Sequence, residues 1–250
     1  MRVAVGLTNL ILGFVYIQYG TLTVIDMRRN WRTMGFSHFG MAWIAMAFTC
    51  GPHHFVHGLH MLLTRHQPGL LDVVSVAVGF PAGVTWFLLR IEAFSGGRGD
   101  RFVSGSPLWV AAIPTVFGMY LTGLCAAVIA VGVANPGGVR LVVPNLMLVA
   151  VYGMIGYYLV RTQLANRQPL GGFSVSGLAL AVIFPTCATM HAVYSFYALR
   201  NQYPIMPLGA AIDWVAVPAG IYFLWVVQAL YRGTALDWNR ARSLPEEAAA

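Results

Sequence analysis

Apolar residues in this chain come in seven long runs, at about 3 to 25, 36 to 63, 69 to 93, 108 to 133, 142 to 161, 174 to 199 and 208 to 231. A bilayer core about 30 Å thick takes about 20 helical residues to cross, so each run predicts one transmembrane helix. The joints between runs carry turn chemistry: Asp26 to Gly35, Gln67-Pro68-Gly69, Gly96-Gly97-Arg98-Gly99-Asp100, Asn135-Pro136-Gly137-Gly138 and Gln168 to Gly172. The pattern predicts an all-α, polytopic membrane protein, a seven-transmembrane-helix bundle forming one domain over residues 1 to 231, with a short cytoplasmic tail from 232 to 250. The first run continues through Ile25 without a small-residue cleavage site, and is expected to be a retained helix and not a signal peptide.

Composition agrees with that reading. The chain is 58% hydrophobic and 9% charged, with a mean hydropathy of +0.69, against about 25% charged in soluble domains. All 15 basic residues are arginine. Without a lysine there is no retinal Schiff base, so seven helices do not here mean an opsin. The net charge of +7 is spread over short joints and forms no stripe, which argues against nucleic acid as a partner. Arg28, Arg29, Arg32, Arg98, Arg101, Arg167, Arg232, Arg240 and Arg242 fall on one side of the predicted bundle, and only Arg2, Arg65, Arg140 and Arg200 on the other. The positive-inside rule then puts the N-terminus outside and the C-terminus in the cytoplasm, in a multi-pass protein integral to the cell membrane. Trp109, Tyr203, Trp214, Trp225, Tyr231 and Trp238 fall near span ends, as an interfacial belt requires. The Gly96 to Arg101 segment lacks the lysine of a phosphate loop and reads as a flexible joint.

Ionisable groups inside spans are costly and mark function. Six of the seven histidines lie between residues 38 and 66, and His53, His54, His57 and His60 stand in one short stretch. On a helix His53, His57 and His60 fall within about 60° of one another, while His54 turns aside. Imidazoles one turn apart can share an ion at about 2 Å, so this is metal-ligand spacing. Asp72 at the start of the third helix, His191 with Met190 and Cys187 in the sixth, and Asp213 in the seventh reach the same level of the bundle. The expected centre therefore takes His53, His57, His60 and His191 as metal ligands, with His54, Cys187 and Met190 as further ligands or supports. Asp72 and Asp213 are the candidate catalytic carboxylates. Pro52, Pro185 and Pro218 predict kinks beside this layer. Polar residues assigned to the opposite half are few, Gln18, Glu92 and Asn145, which argues against a path through the bundle. The three cysteines show no CxxC spacing, so no disulfide framework or zinc finger follows.

His57 or His53 at the end of the second helix, with Asp72 at the start of the third, resembles the seven-helix ceramidase and adiponectin-receptor superfamily. The resemblance implies a zinc hydrolase acting on a lipid. The histidine pair of that superfamily's seventh helix is missing here, where Asp213 stands, and His191 of the sixth helix would substitute. Met190-His191 also resembles the Met-His sensor modules of bacteria, although Ala192-Val193 follows and only one copy is present. The expected cofactor is a divalent metal ion, with zinc favoured and copper, iron or haem b as alternatives. The lead expectation is a metal-dependent membrane enzyme acting on a membrane lipid or amphiphile. The alternatives are a redox protein, a metal or proton transporter, or an accessory subunit of a homo-oligomer or larger membrane complex.

Overall fold

The computed structural model describes residues 1–64, 66–105, 110, 112–137, 139–200 and 207–234. Arg65, Trp109, Tyr203, Trp238, Arg240, Arg242 and nearly all of the expected tail lie outside the described residues. Seven helices account for most of the chain: α1 (Arg2–Met34), α2 (His38–Leu63), α3 (Leu70–Phe94), α4 (Ile113–Ala134), α5 (Val139–Asn166), α6 (Val175–Leu199) and α7 (Pro207–Arg232). Each apolar run of the sequence has its helix. The main difference in extent is α1, which continues to Met34 through a segment read as a joint and ends where Gly35 turns to φ 70°.

Six of the helices, all but α2, are long and apolar enough to cross a bilayer. Histidines 38, 53, 54, 57 and 60, with Pro52 and the glycines, lower the hydropathy of α2. Large apolar side chains face outward along the bundle, among them Phe14, Val78, Leu88, Met119, Val215 and Ile221, all 45% or more exposed. In water such a surface would drive aggregation, whereas lipid tails cover it at no cost. The chain thus has the character of a membrane-embedded protein.

Helix packing closes a ring. Helix α1 contacts α2 and α3, α2 contacts α7, α7 contacts α5, α5 contacts α6, and α6 returns to α3, while α4 lies outside against α5 and α6. Small residues bring α1 and α2 together. Gly6, Gly13 and Gly20 repeat every seven residues on α1 and face Gly58, Gly51 and Ala47 of α2. A Cβ on Gly13 would stand 2.8 Å from the Gly51 carbonyl oxygen, and one on Gly58 would stand 2.8 Å from that of Gly6. Without a hydrophobic driving force between helices in lipid, such close backbone approach supplies the packing energy. The same seam brings Asn9 of α1 within 2.8 Å of His54.

Part of the ring interior is closed by an aromatic plug. Tyr16, Trp43, Trp86, Phe184 and Phe223 are 0 to 3% exposed. Trp43 meets Trp86 edge to face at 4.0 Å between centroids, and Trp86 stacks on Tyr19 at 3.5 Å. At the end where α3 finishes and α6 begins, the joint that the sequence suggested would be flexible is organised by Asp100. Its carboxylate accepts from the hydroxyls of Ser174 (2.6 Å) and Ser176 (2.8 Å) and from the backbone N–H groups of Ser176 and Arg101. Ser174 in turn caps α6 at Gly177 N–H, and two short strands, β1 (Phe102–Val103) and β2 (Phe173–Ser174), pair antiparallel there.

Candidate metal centre

The polar layer lies at the other end, where α2 finishes and α3 and α7 begin. Four helices that neighbour one another in the ring each present one polar side chain to it: His53 from α2, Asp213 from α7, Asn145 from α5 and His191 from α6. Donor atoms of His53, His191 and Asp213 all lie within 4.8 Å of one another, and among the described residues this is the group with metal-ligand geometry.

Asp213 is the pivot. Its Oδ2 accepts from Asn145 Nδ2 at 2.8 Å. Its Oδ1 lies 2.9 Å from His53 Nδ1 and 3.9 Å from His191 Nδ1. At 2.9 Å the His53 imidazole is within hydrogen-bond distance of Oδ1, though the angle between them is poor, and among the described residues no other group takes up Oδ1 or the His53 ring nitrogens. Asp213 is 2% exposed, and among the described residues the arginine–carboxylate pairs are Arg90 with Asp26 and Arg101 with Glu92. A buried carboxylate needs a counter-charge, and here the facing groups are two imidazoles.

Asn145 locks the set. Its amide oxygen faces His191 Nδ1 at 2.6 Å while its amide nitrogen donates to Asp213. With the oxygen accepting, His191 carries its proton on Nδ1, so the amide fixes its tautomer. Sequence reading had placed Asn145 in the opposite half. The first turns of α5, which begins at Val139 ahead of Pro144, instead belong to the His-rich end, so Asn145 is part of the centre.

The three donors border a small cavity lined also by Thr49, Cys50, His54, Tyr152, Cys187, Met190 and Ala216. It admits about one water-sized sphere, ≈ 10 Å³, the volume a single water needs. The His53 and His191 rings lie 4.7 Å apart beside it. Of the softer groups read from the sequence, Cys187 and Met190 do line the cavity, joined by Cys50, whose thiol lies 3.3 Å from the Tyr152 hydroxyl. His54 lines one wall while its Nδ1 meets Asn9 Oδ1 at 2.8 Å and its ring stands edge-on to Tyr16.

The remaining expected residues form a second group toward the α2–α3 joint. His57, 1% exposed, packs on Tyr194 at 4.3 Å, and His60, 5% exposed, lies 6.1 Å from His66. Asp72 is fully buried, and its Oδ2 accepts from Gly69 N–H at 2.8 Å and from the Tyr197 hydroxyl at 2.9 Å. No family model, no curated protein and no solved structure matches this chain, so the centre is argued from its own geometry.

Proposed function

We propose that this chain is a seven-span integral membrane metalloprotein in which His53, His191 and Asp213 hold one divalent ion, zinc by preference, for hydrolysis of a lipid or amphiphile. The observation that carries the reading is the convergence, within 4.8 Å, of donor atoms from three helices, two imidazoles and one buried carboxylate. Two histidines and a carboxylate with a position left open are a catalytic ligand set, whereas closed structural zinc sites use four protein ligands. Zinc bound there supplies a Lewis acid and lowers the pKa of a bound water. The protein's part is to hold Asp213 and His191 through Asn145, to fix the His191 tautomer, and to line the cavity with Tyr152, Met190 and Cys187.

Arginine placement supports the N-out orientation, which sets the centre in the outer half of the bilayer, within reach of outer-leaflet substrates. A span of histidine-rich α2 fits this account, since its polar atoms turn inward. The aromatic plug supports an enzyme over a transporter, because a pathway needs polar groups at several depths. The same ligand trio also suits iron(II), and Cys187, Cys50 and Met190 on the cavity wall favour copper as a second reading. Purified protein is assayed against fatty-acyl esters and amides in mixed micelles, with its visible spectrum recorded alongside. The reading expects turnover that a chelator abolishes, zinc restores and Asp213→Asn lacks. Colour from bound copper or iron moves the case to redox chemistry, and turnover indifferent to chelator rejects metal-dependent hydrolysis.

A further inference from the structure

Three of the histidines outside the centre, His57, His60 and His66, form a column leading to it. From the α2–α3 joint inward come half-buried His66, then His60, His57 and His53. One helical turn, about 5.4 Å, separates successive imidazoles along α2. Ring contacts continue the series: His66 to His60 at 6.1 Å, His57 to Tyr194 at 4.3 Å, Tyr194 to His53 at 5.3 Å and His53 to His191 at 4.7 Å. Burial runs from half-buried His66 to 5% at His60 and 1% at His57, and eases again at His53, whose side chain is 13% exposed.

Asp72 stands at the head of the column. The Tyr197 hydroxyl that donates to its Oδ2 belongs to a ring packed on His66 at 4.7 Å. Its other oxygen, Oδ1, is buried and has no hydrogen-bond partner among the described residues, although the residue is fully enclosed. Leaving a carboxylate oxygen unsatisfied in such a place costs on the order of 1–3 kcal/mol. A cation would remove that cost.

We propose that Asp72, His66 and His60 capture a divalent cation at the α2–α3 joint, and that His57 passes it down the column to the His53–His191–Asp213 centre. The proposal rests on the reading of that centre as a metal site. Capture and transfer call for donors in weak, sequential sets and not for a closed cage, and the column supplies them: donor atoms of His57, His60, His66 and Asp72 form no tight group like that of the centre. Imidazole nitrogens one turn apart can each hold an ion at about 2 Å while it changes partners.

The test is the rate of loading. Metal-stripped full-length protein in detergent is mixed with limiting cobalt(II), and its visible absorption is followed by stopped flow for wild type, His66→Gln and Asp72→Asn. His66 lies outside the helices and Asp72→Asn is isosteric, so the two variants test the route from different structural positions. The expected result is loading slowed about tenfold or more, with the final spectrum and stoichiometry unchanged. A merely structural role would alter the final occupancy instead. Wild-type loading rates in both variants, or a changed end point with an unchanged rate, overturn the route. Failure of wild type to take up cobalt at all overturns the centre and the route with it. Slowed proton uptake without slowed cobalt loading would assign the column to protons and reject the metal route.

Discussion

Replacing Asn145 tests whether the centre is held by its support as the geometry requires. Asn145 is 1% exposed and makes two contacts, donating to Asp213 Oδ2 at 2.8 Å and accepting from His191 Nδ1 at 2.6 Å. Asn145→Leu keeps the branched shape and removes both. A hydrogen bond to an ionised group contributes about 1.5–3 kcal/mol and a neutral one about 1 kcal/mol, but partners inside membranes average nearer 0.6 kcal/mol because the reference state finds substitutes. Part of the loss therefore appears as lower stability, and the rest as poorer ligand orientation, since His191 is free to rotate and change tautomer. Outer-shell substitutions of this kind cost about 10- to 100-fold in metal affinity, or roughly 1.4–2.7 kcal/mol. The assay is competition for zinc against a chromophoric chelator in detergent, with circular dichroism as the check on folding. A folded Asn145→Leu protein whose zinc affinity stays within about threefold of wild type would refute the positioning role.

Other outcomes follow from the packing and the cavity wall. Gly13→Leu drives a side chain into the Gly51 backbone at a point where a Cβ already meets the carbonyl at 2.8 Å, and should cost on the order of 1–3 kcal/mol. Gly123→Leu on α4, where a Cβ meets nothing within 4 Å, is the control and should leave the thermal unfolding midpoint unchanged or raised; equal midpoints for the two variants would dismiss the seam. Asp100→Ala removes the acceptor shared by Ser174, Ser176 and Arg101, and should speed limited proteolysis of residues 96–103 several-fold; an unchanged cleavage rate would mean the joint is held by other contacts. Cys187→Ala and Met190→Leu should leave zinc occupancy intact while weakening copper binding, and loss of zinc in either would bring sulfur into the ligand set.

Much of the helix layout was legible because a membrane span is written in a single property, continuous apolarity over about 20 residues, and the seven runs map onto seven helices. The common level of His53, His191 and Asp213 was legible from their distances to helix ends. Which residues converge was not. The sequence offered His53, His57 and His60 on α2 as ligands, with His54 turned aside, but the ring sets α2 beside α7, with α5 and α6 following, and of the three only His53 stands with Asp213 and His191. Asn145 was misplaced although the sequence sets it right: it stands three residues into the 142–161 run, just after Arg140 on the outer side, and the first turns of α5 lie at the His-rich end. The α1–α2 seam left a trace in the seven-residue spacing of Gly6, Gly13 and Gly20, a repeat of small residues that signals close helix contact in lipid. Asp100 looked like one more polar residue in a glycine-rich joint, since its partners Ser174 and Ser176 lie far along the chain.

The most direct measurement of the central claim is the metal content of the purified protein by mass spectrometry, after exposure to a mixture of zinc, copper and iron, for wild type, His53→Ala, His191→Ala and Asp213→Asn. The account predicts stoichiometric metal in wild type, with zinc predominant, and its loss in each of the three variants while circular dichroism remains that of a folded helical protein. Metal-free wild type, or metal retained in all three variants, would contradict it and leave His53 and Asp213 as a buried imidazole–carboxylate contact.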